Sequence, residues 1–108
     1  MSPRLSTGFW VRAYLHRLEM AAIPAHLVAK GDEVAGAVLV KSATLDGMAR
    51  LHARRTGPEG RQWMMLAEGP EAEVDASIAR QRGFDPDLWV IEVEDRAGRT
   101  LLDEPGLD

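Results

Sequence analysis

The feature that most constrains this chain is the stretch from Phe84 to Asp95, in which a rigid turn runs directly into a strand pattern. Pro86 fixes its own backbone φ and disfavours helix at Asp85. The carboxylates of Asp85 and Asp87 can accept hydrogen bonds from nearby backbone amides and so set up the turn. We interpret Asp85, Pro86, Asp87 and Trp89 as a structural motif that reverses the chain and directs the following strand into a core.

The strand that follows this turn has two different faces. Trp89, Ile91 and Val93 form one wholly apolar face, which is typical of a strand that packs on a core. The opposite face changes from apolar to acidic along its length, through Leu88, Val90, Glu92 and Glu94. Its acidic end is a candidate binding surface.

Composition limits the classes of protein to which this chain can belong. With 108 residues, 45% of them hydrophobic and 28% charged, we expect one folded domain over residues 1–108, with flexible ends at 1–6 and 103–108. A net charge of −4 argues against a surface built wholly for phosphate binding. The chain has no cysteine, which excludes disulfides, thiolate nucleophiles and zinc fingers.

The N-terminal segment from Met1 to Trp10 has no apolar stretch followed by a small-residue cleavage site. No segment approaches the roughly 18 consecutive apolar residues of a membrane span. We therefore expect a cytoplasmic protein with no membrane partner.

Two helices are predicted from helical spacing and from their end signals. The first covers residues 8–22, with Thr7 as its N-cap, and stops before Pro24. The second begins at Pro70 and ends at Gly83 in a left-handed cap.

Strand patterns occupy most of the remaining chain: residues 25–30, 35–41, 48–55, 62–67, the stretch from Leu88 and, as a short edge strand, 100–102. The segment 35–41 is apolar on both faces, which indicates a central strand, and Gly36 marks a bulge or a close backbone approach. Asp46–Gly47 is a strong hairpin signal, and 57–60 form a second turn. Three consecutive strands joined by short turns predict an antiparallel meander.

The order of elements predicts an α+β fold: an N-terminal helix, a mostly antiparallel, strongly twisted sheet of about five strands, and a second helix before the last main strand. Two helices on one face of the sheet is the simplest packing. The alternative is a meander that closes into a small Sm-like barrel capped by the first helix.

Several segments together resemble a known family. They are Trp10-Val11, Lys30-Gly-Asp32, Ala35 to Val40, Trp63 and, most distinctively, Phe84 to Asp95. Over nearly the full chain, this combination resembles an alphaproteobacterial family of small uncharacterised proteins, domain-of-unknown-function family 1491. The resemblance implies a bacterial cytoplasmic protein, and it carries no activity, cofactor or partner.

A basic row is the best candidate for a binding surface. Alternation places Arg50, His52 and Arg54 on one strand face about 7 Å apart, close to the spacing of phosphates along one nucleic-acid strand, with Arg61 across the turn. The alternative is a solvated face whose arginines pair with Glu92 and Glu94.

Catalytic and metal-binding readings have less support. Oxygen ligands for a metal-dependent hydrolase built on the acidic turn could come from Asp85, Asp87, Glu92, Glu94 and Asp95, but their spacing matches no calcium loop. Glu92 and Glu94 could form a carboxylate pair, but residues two apart on any strand have that spacing. No serine lies in a nucleophile elbow and no phosphate-binding glycine loop is present, so no catalytic residue and no cofactor are predicted.

The strand at 62–67 determines the leading functional hypothesis. Trp63 and Met65 point to one face and Met64 to the other, so both faces need cover. A barrel, a helix or another copy of the chain could supply it. We favour the last, which makes the chain a non-catalytic, self-associating module that binds itself or another protein, with nucleic-acid binding as the alternative.

Overall fold

The computed structural model describes residues 6–57 and 60–105, and it describes their side chains except for 55–57, 60 and 61. The elements follow in the order α1 (Thr7–Met20), β1 (Ala25–Ala29), β2 (Val38–Ala43), β3 (Met48–Gly57), β4 (Gly60–Pro70), α2 (Glu71–Phe84) and β5 (Trp89–Glu94). In this described part of the chain, neither helix is long and apolar enough to cross a bilayer.

The sheet is mixed and open. Its strand order is β1-β5-β2-β3-β4, so that β5, the last strand in sequence, lies between β1 and β2. The meander β2-β3-β4 is antiparallel, as predicted, and β5 is antiparallel to β1 but parallel to β2. Because β1 and β4 lie at opposite edges of the sheet, the barrel alternative is not what this chain adopts.

The two helices lie on opposite faces of the sheet, so the expectation of both on one face is wrong. The core on the α1 side contains Trp10, Tyr14 and Leu18 of the helix against Val38, Val40, Trp89, Ile91 and Val93. The core on the α2 side contains Val74 and Ile78 of the helix against Leu39, Ala49, Leu51, Leu88 and Val90. β2 and β5 are apolar on both faces because they are central strands with a helix on each side.

The ends of the helices differ from the predicted ends. Ser6, not Thr7, caps α1: its Oγ accepts a hydrogen bond from the Phe9 amide at 3.3 Å, whereas the Thr7 hydroxyl donates to the Gly36 carbonyl at 2.9 Å. α2 runs through Gly83 to Phe84 and has no left-handed cap there.

The hairpin between β2 and β3 has the predicted turn. The Asp46 carboxylate accepts hydrogen bonds from the Thr44 hydroxyl at 2.6 Å and the Met48 amide at 3.1 Å, and Gly47 has a φ of 89°. Those two bonds hold the pKa of Asp46 below its ordinary value. Residues 100–102 form no strand; Leu101 and Leu102 instead pack against the core on the α1 side.

The loop before β2 is locked onto the turn before β5. The Trp89 indole N–H donates to the Asp32 carbonyl at 2.7 Å, and the Asp32 amide donates to the Asp87 carbonyl at 2.9 Å. At Gly31 and at Gly36, an added Cβ would overlap the Asp87 carbonyl oxygen. The predicted close approach at Gly36 is therefore confirmed, and its neighbour is the acidic turn.

Candidate functional site

The basic row lies on the face of β3 that α1 covers, and its members have different surroundings. The Arg54 guanidinium lies over the Trp10 ring, 5.0 Å from its centroid, and donates to the Thr7 hydroxyl at 3.4 Å. Trp10 in turn stacks on Tyr14, with ring centroids 4.9 Å apart. Arg54 is thus part of the packing of α1 on the sheet rather than an open cation for a ligand.

Arg50 and His52 lie nearer to solvent. Arg50 Nε is 2.9 Å from Glu68 Oε2 on β4, and both side chains are about half exposed. His52 is half-buried, and burial together with the neighbouring Arg50 charge lowers its pKa below the ordinary 6.5. It lines a cleft of about 570 Å³ with Trp63 and residues 97–104. Arg61 occupies a place on β4, but its side chain lies outside the described part.

The acidic end of β5 faces away from the basic row. Glu92 lies on the α2 side of the sheet, where its Oε1 is 3.4 Å from Lys41 Nζ, and Glu94 shares that face by alternation. The expected pairs between the arginines and these glutamates do not form among the described residues, because the sheet separates them. Arg50 pairs with Glu68 instead.

A buried lysine is the charged site that sequence reasoning missed. The side chain of Lys41 on β2 is only 5% exposed, and its Nζ lies 2.8 Å from both Glu71 Oε1 and Asp75 Oδ1 on α2. With Glu92 these residues form the Lys41 group. Burial would lower the pKa of Lys41, but hydrogen bonds to Asp75 and Glu71 and the charge of Glu92 outweigh it and raise that pKa.

The chemistry of the Lys41 group follows from this balance. A lysine whose pKa is raised stays protonated at neutral pH and is a poor nucleophile and a poor base. Its role is to join the first turns of α2 to β2 and β5 through one cation. The sequence signal was available: a lysine within a strand that is apolar on both faces must have carboxylate partners.

The acidic turn is compact but does not assemble a set of metal ligands. The Asp85 carboxylate accepts a hydrogen bond from the Asp87 amide at 3.0 Å, as the turn prediction requires. Within residues 6–57 and 60–105, no group of three or more histidine, aspartate or glutamate side chains lies close enough to hold a metal ion.

β4 forms one of the two edges of the sheet. In the described chain β4 pairs only with β3, and its stretch from Gln62 to Ala67 carries no charged residue. Met64, on the α2 side, is 40% exposed, and Met65, on the α1 side, is 53% exposed. We name this surface, Gln62 to Glu68, the open edge.

Fold and site together define the class: a small α+β protein with helices on opposite faces of an open, mixed five-stranded sheet. The family model for DUF1491, described as a protein of unknown function, matches residues 5–103. The chain belongs to this family, as the resemblance in the sequence predicted. No match was found among curated proteins.

Solved structures of relatives have the same fold. A crystal structure of a DUF1491 family protein from Caulobacter crescentus CB15 is 44% identical, with a TM-score of 0.84, and the match covers 94% of this chain and 97% of that one. An NMR structure of a DUF1491 family protein from the same organism gives 43% identity and a TM-score of 0.85 over 96% and 97% of the two chains. The solution structure of protein Atu0922 from A. tumefaciens is 31% identical, with a TM-score of 0.76, and the match covers 95% of this chain and 98% of that one.

Proposed function

We propose that this chain is a non-catalytic cytoplasmic interaction module that self-associates through the open edge. The observation that carries the proposal is the exposure of Met64 and Met65 on the two faces of an edge strand that, among the described residues, pairs on one side only. An edge strand presents a row of unpaired amides and carbonyls, which is a template for another strand.

The two edges of the sheet differ in a way that favours β4. β1, at the other edge, has five residues, whereas β4 has eleven. Natural proteins protect long edges with charges, prolines or bulges. β4 has one bulge at Leu66 and a proline only at its end, and its six consecutive residues from Gln62 to Ala67 carry no charge. This composition is suited to contact with another strand.

The size of the open edge indicates a weak association. Standard interfaces bury about 1,200–2,000 Å², and a strand pair of about seven residues buries less than that. We therefore expect a dimer with a Kd in the range of about 10 µM to 1 mM.

Sedimentation equilibrium between about 10 µM and 1 mM tests the proposal across this range of Kd. We expect the mean mass to rise from monomer towards dimer, and Met65→Lys to weaken the association at least about tenfold through charge repulsion and lost apolar contact. Met20→Lys is the matched control, because Met20 is 76% exposed at the end of α1, away from the open edge. A monomeric mass at the highest concentration would contradict the proposal.

Nucleic-acid binding is the second candidate. Its support is the half-exposed Arg50 beside the half-buried His52, next to the cleft of about 570 Å³. The engagement of Arg54 with Trp10 and of Arg50 with Glu68 makes it the weaker candidate. Titration with single-stranded oligonucleotides at low and high salt tests it: phosphate contacts must weaken as salt rises, and Arg50→Ala must reduce the salt dependence.

A further inference from the structure

We propose that the cleft lined by His52, Trp63 and residues 97–104 binds small organic amines in their protonated form. We name this cleft the His52 cleft. Its volume of about 570 Å³ lies within the range of about 300–1,000 Å³ that is typical of small-molecule sites. The inference goes beyond the proposed self-association, and its test does not depend on the oligomeric state of the chain.

One wall of the His52 cleft is aromatic. The half-buried Trp63 ring lies 5.5 Å from the Trp10 ring, centroid to centroid, and Trp10 stacks on Tyr14 at 4.9 Å. These three rings form a row that begins in the core on the α1 side and ends with Trp63 at the cleft. Because an indole is the aromatic group that attracts cations most strongly, this wall is suited to an organic cation.

The other wall is the C-terminal segment, which α1 holds at two points. The Tyr14 hydroxyl donates to the Thr100 carbonyl at 2.7 Å, and Arg17 Nη1 donates to the Pro105 carbonyl at 2.9 Å. Between these two points, Leu101 packs against the core on the α1 side. The residues of this wall are therefore fixed opposite the strands by contacts at both ends and in the middle.

The charges that line the His52 cleft favour a cationic ligand. Among the described lining residues, Arg99 carries the only guanidinium, and it donates to the Asp95 carboxylate at 3.0 and 3.1 Å. Its charge is therefore already compensated. The carboxylates of Asp103 and Glu104 have no salt bridge within the described part of the chain. Two carboxylates of the lining are thus left for a ligand to neutralise.

His52 supplies a polar atom to the cleft without a second positive charge. Burial and the charge of Arg50 lower the pKa of His52, so its imidazole is neutral at pH 7. A neutral imidazole has one nitrogen that accepts a hydrogen bond, which a protonated amine donates. It also adds no charge that would repel a cation. The indole, the neutral imidazole and the two carboxylates together select an organic cation over an anion.

Three probes with the same ring and different charges test the proposal at pH 7: benzylamine, which is a cation, benzyl alcohol, which is neutral, and benzoate, which is an anion. The readout is the indole N–H signal of Trp63 in the NMR spectrum of ¹⁵N-labelled protein, assigned with Trp63→Phe. We expect benzylamine to shift this signal with a Kd of about 1–10 mM, as suits a probe of this size. Benzyl alcohol should bind at least about threefold more weakly, and benzoate should give no saturable shift. The buried indole of Trp89, which does not line the cleft, is the internal control and should not move.

A double variant, Asp103→Asn with Glu104→Gln, tests the role of the two carboxylates. We expect it to weaken benzylamine binding about three- to tenfold and to leave benzyl alcohol binding unchanged, because only the cation loses an attraction. The matched control is Glu73→Gln with Asp87→Asn, which removes two exposed carboxylates that do not line the cleft. At physiological salt, screening should keep the effect of this control below about 1.5-fold.

The outcomes that would overturn the proposal are distinct from one another. Equal affinities for the three probes, or an equal loss in the two double variants, would show that the His52 cleft does not select cations. Stronger binding of benzoate than of benzylamine would reverse the assignment and support the nucleic-acid candidate instead. The absence of a saturable shift of the Trp63 signal up to about 50 mM benzylamine would show that the cleft is not an amine site.

Discussion

Two sets of cationic residues lie on opposite faces of the same sheet, and their surroundings differ. The Lys41 group brings three carboxylates from α2 and β5 onto one buried ammonium. On the other face, Arg50 has one half-exposed carboxylate on the neighbouring strand, and Arg54 lies over an indole. The comparison teaches that burial and the number of partners determine whether a charge stabilises the fold or remains available at the surface.

The largest effect should come from removing the buried cation. Lys41→Met leaves the carboxylates of Glu71, Asp75 and Glu92 close together without a counter-charge, and we expect the free energy of unfolding to fall by about 2–3 kcal/mol. This is less than for a fully buried pair because Glu71 and Asp75 reach solvent. Urea unfolding at pH 7 measures this fall in the free energy of unfolding.

The control for this variant is Lys30→Met, since Lys30 is exposed and is the only other lysine in the chain. It should change the free energy of unfolding by less than about 0.5 kcal/mol. An equal loss for both lysine variants would mean that the Lys41 group stabilises nothing.

The next largest effect should appear at alkaline pH, where the Lys41 group loses its stabilising contribution. Because the folded state binds the Lys41 proton more tightly than the unfolded chain does, its contribution is complete below the ordinary lysine pKa of 10.5 and falls as the pH rises beyond it. Burial also raises the pKa of Tyr14 above 10.0, so its contribution falls in the same direction. Urea midpoints measured from pH 9 to 11.5 should fall, and Lys41→Met should show the smaller decline.

Arg54 should show an intermediate effect. Arg54→Ala removes a guanidinium from the Trp10 ring and a hydrogen bond to the Thr7 hydroxyl, and we expect a loss of about 1–2 kcal/mol. Thermal unfolding followed by near-UV circular dichroism reports both the stability and the environment of Trp10. A loss below about 0.3 kcal/mol would place Arg54 with the surface charges.

Arg50 should show the smallest effect. Arg50→Ala removes an exposed pair with Glu68 on the same strand face, and we expect a loss of at most about 0.5 kcal/mol that disappears at 1 M salt. Chemical unfolding at low and high salt checks this. A salt-independent loss as large as that of Arg54→Ala would remove the distinction between these two arginines.

The parts of the fold that depend on neighbouring residues could be predicted from the sequence. Asp46–Gly47 gave the hairpin because its hydrogen bonds join residues within four positions of one another. The apolar residues on both faces of 35–41 correctly predicted a central strand, although the regular strand begins at Val38. The alternation of Arg50, His52 and Arg54 against Ala49, Leu51 and Ala53 was also correct.

The parts that depend on distant residues could not be predicted in the same way. The local sequence from Trp89 to Glu94 does not predict that this strand lies parallel to β2, because that pairing joins residues about fifty positions apart. The opposite placement of the helices follows from this insertion, and so does the separation of Glu92 from Arg50. The bulge at Leu66, which sets the faces of the open edge, has no glycine to mark it.

The position of β5 has a consequence for how the chain reaches its native state. The strand that lies between β1 and β2 is the last one that a ribosome makes, so those two strands have no neighbour to join them until residues 89–94 emerge. Before that point, a nascent chain can form the local hairpins of the meander but exposes the apolar flanks of β1 and β2. Folding of the whole sheet is thus coupled to the synthesis of residues 89–94.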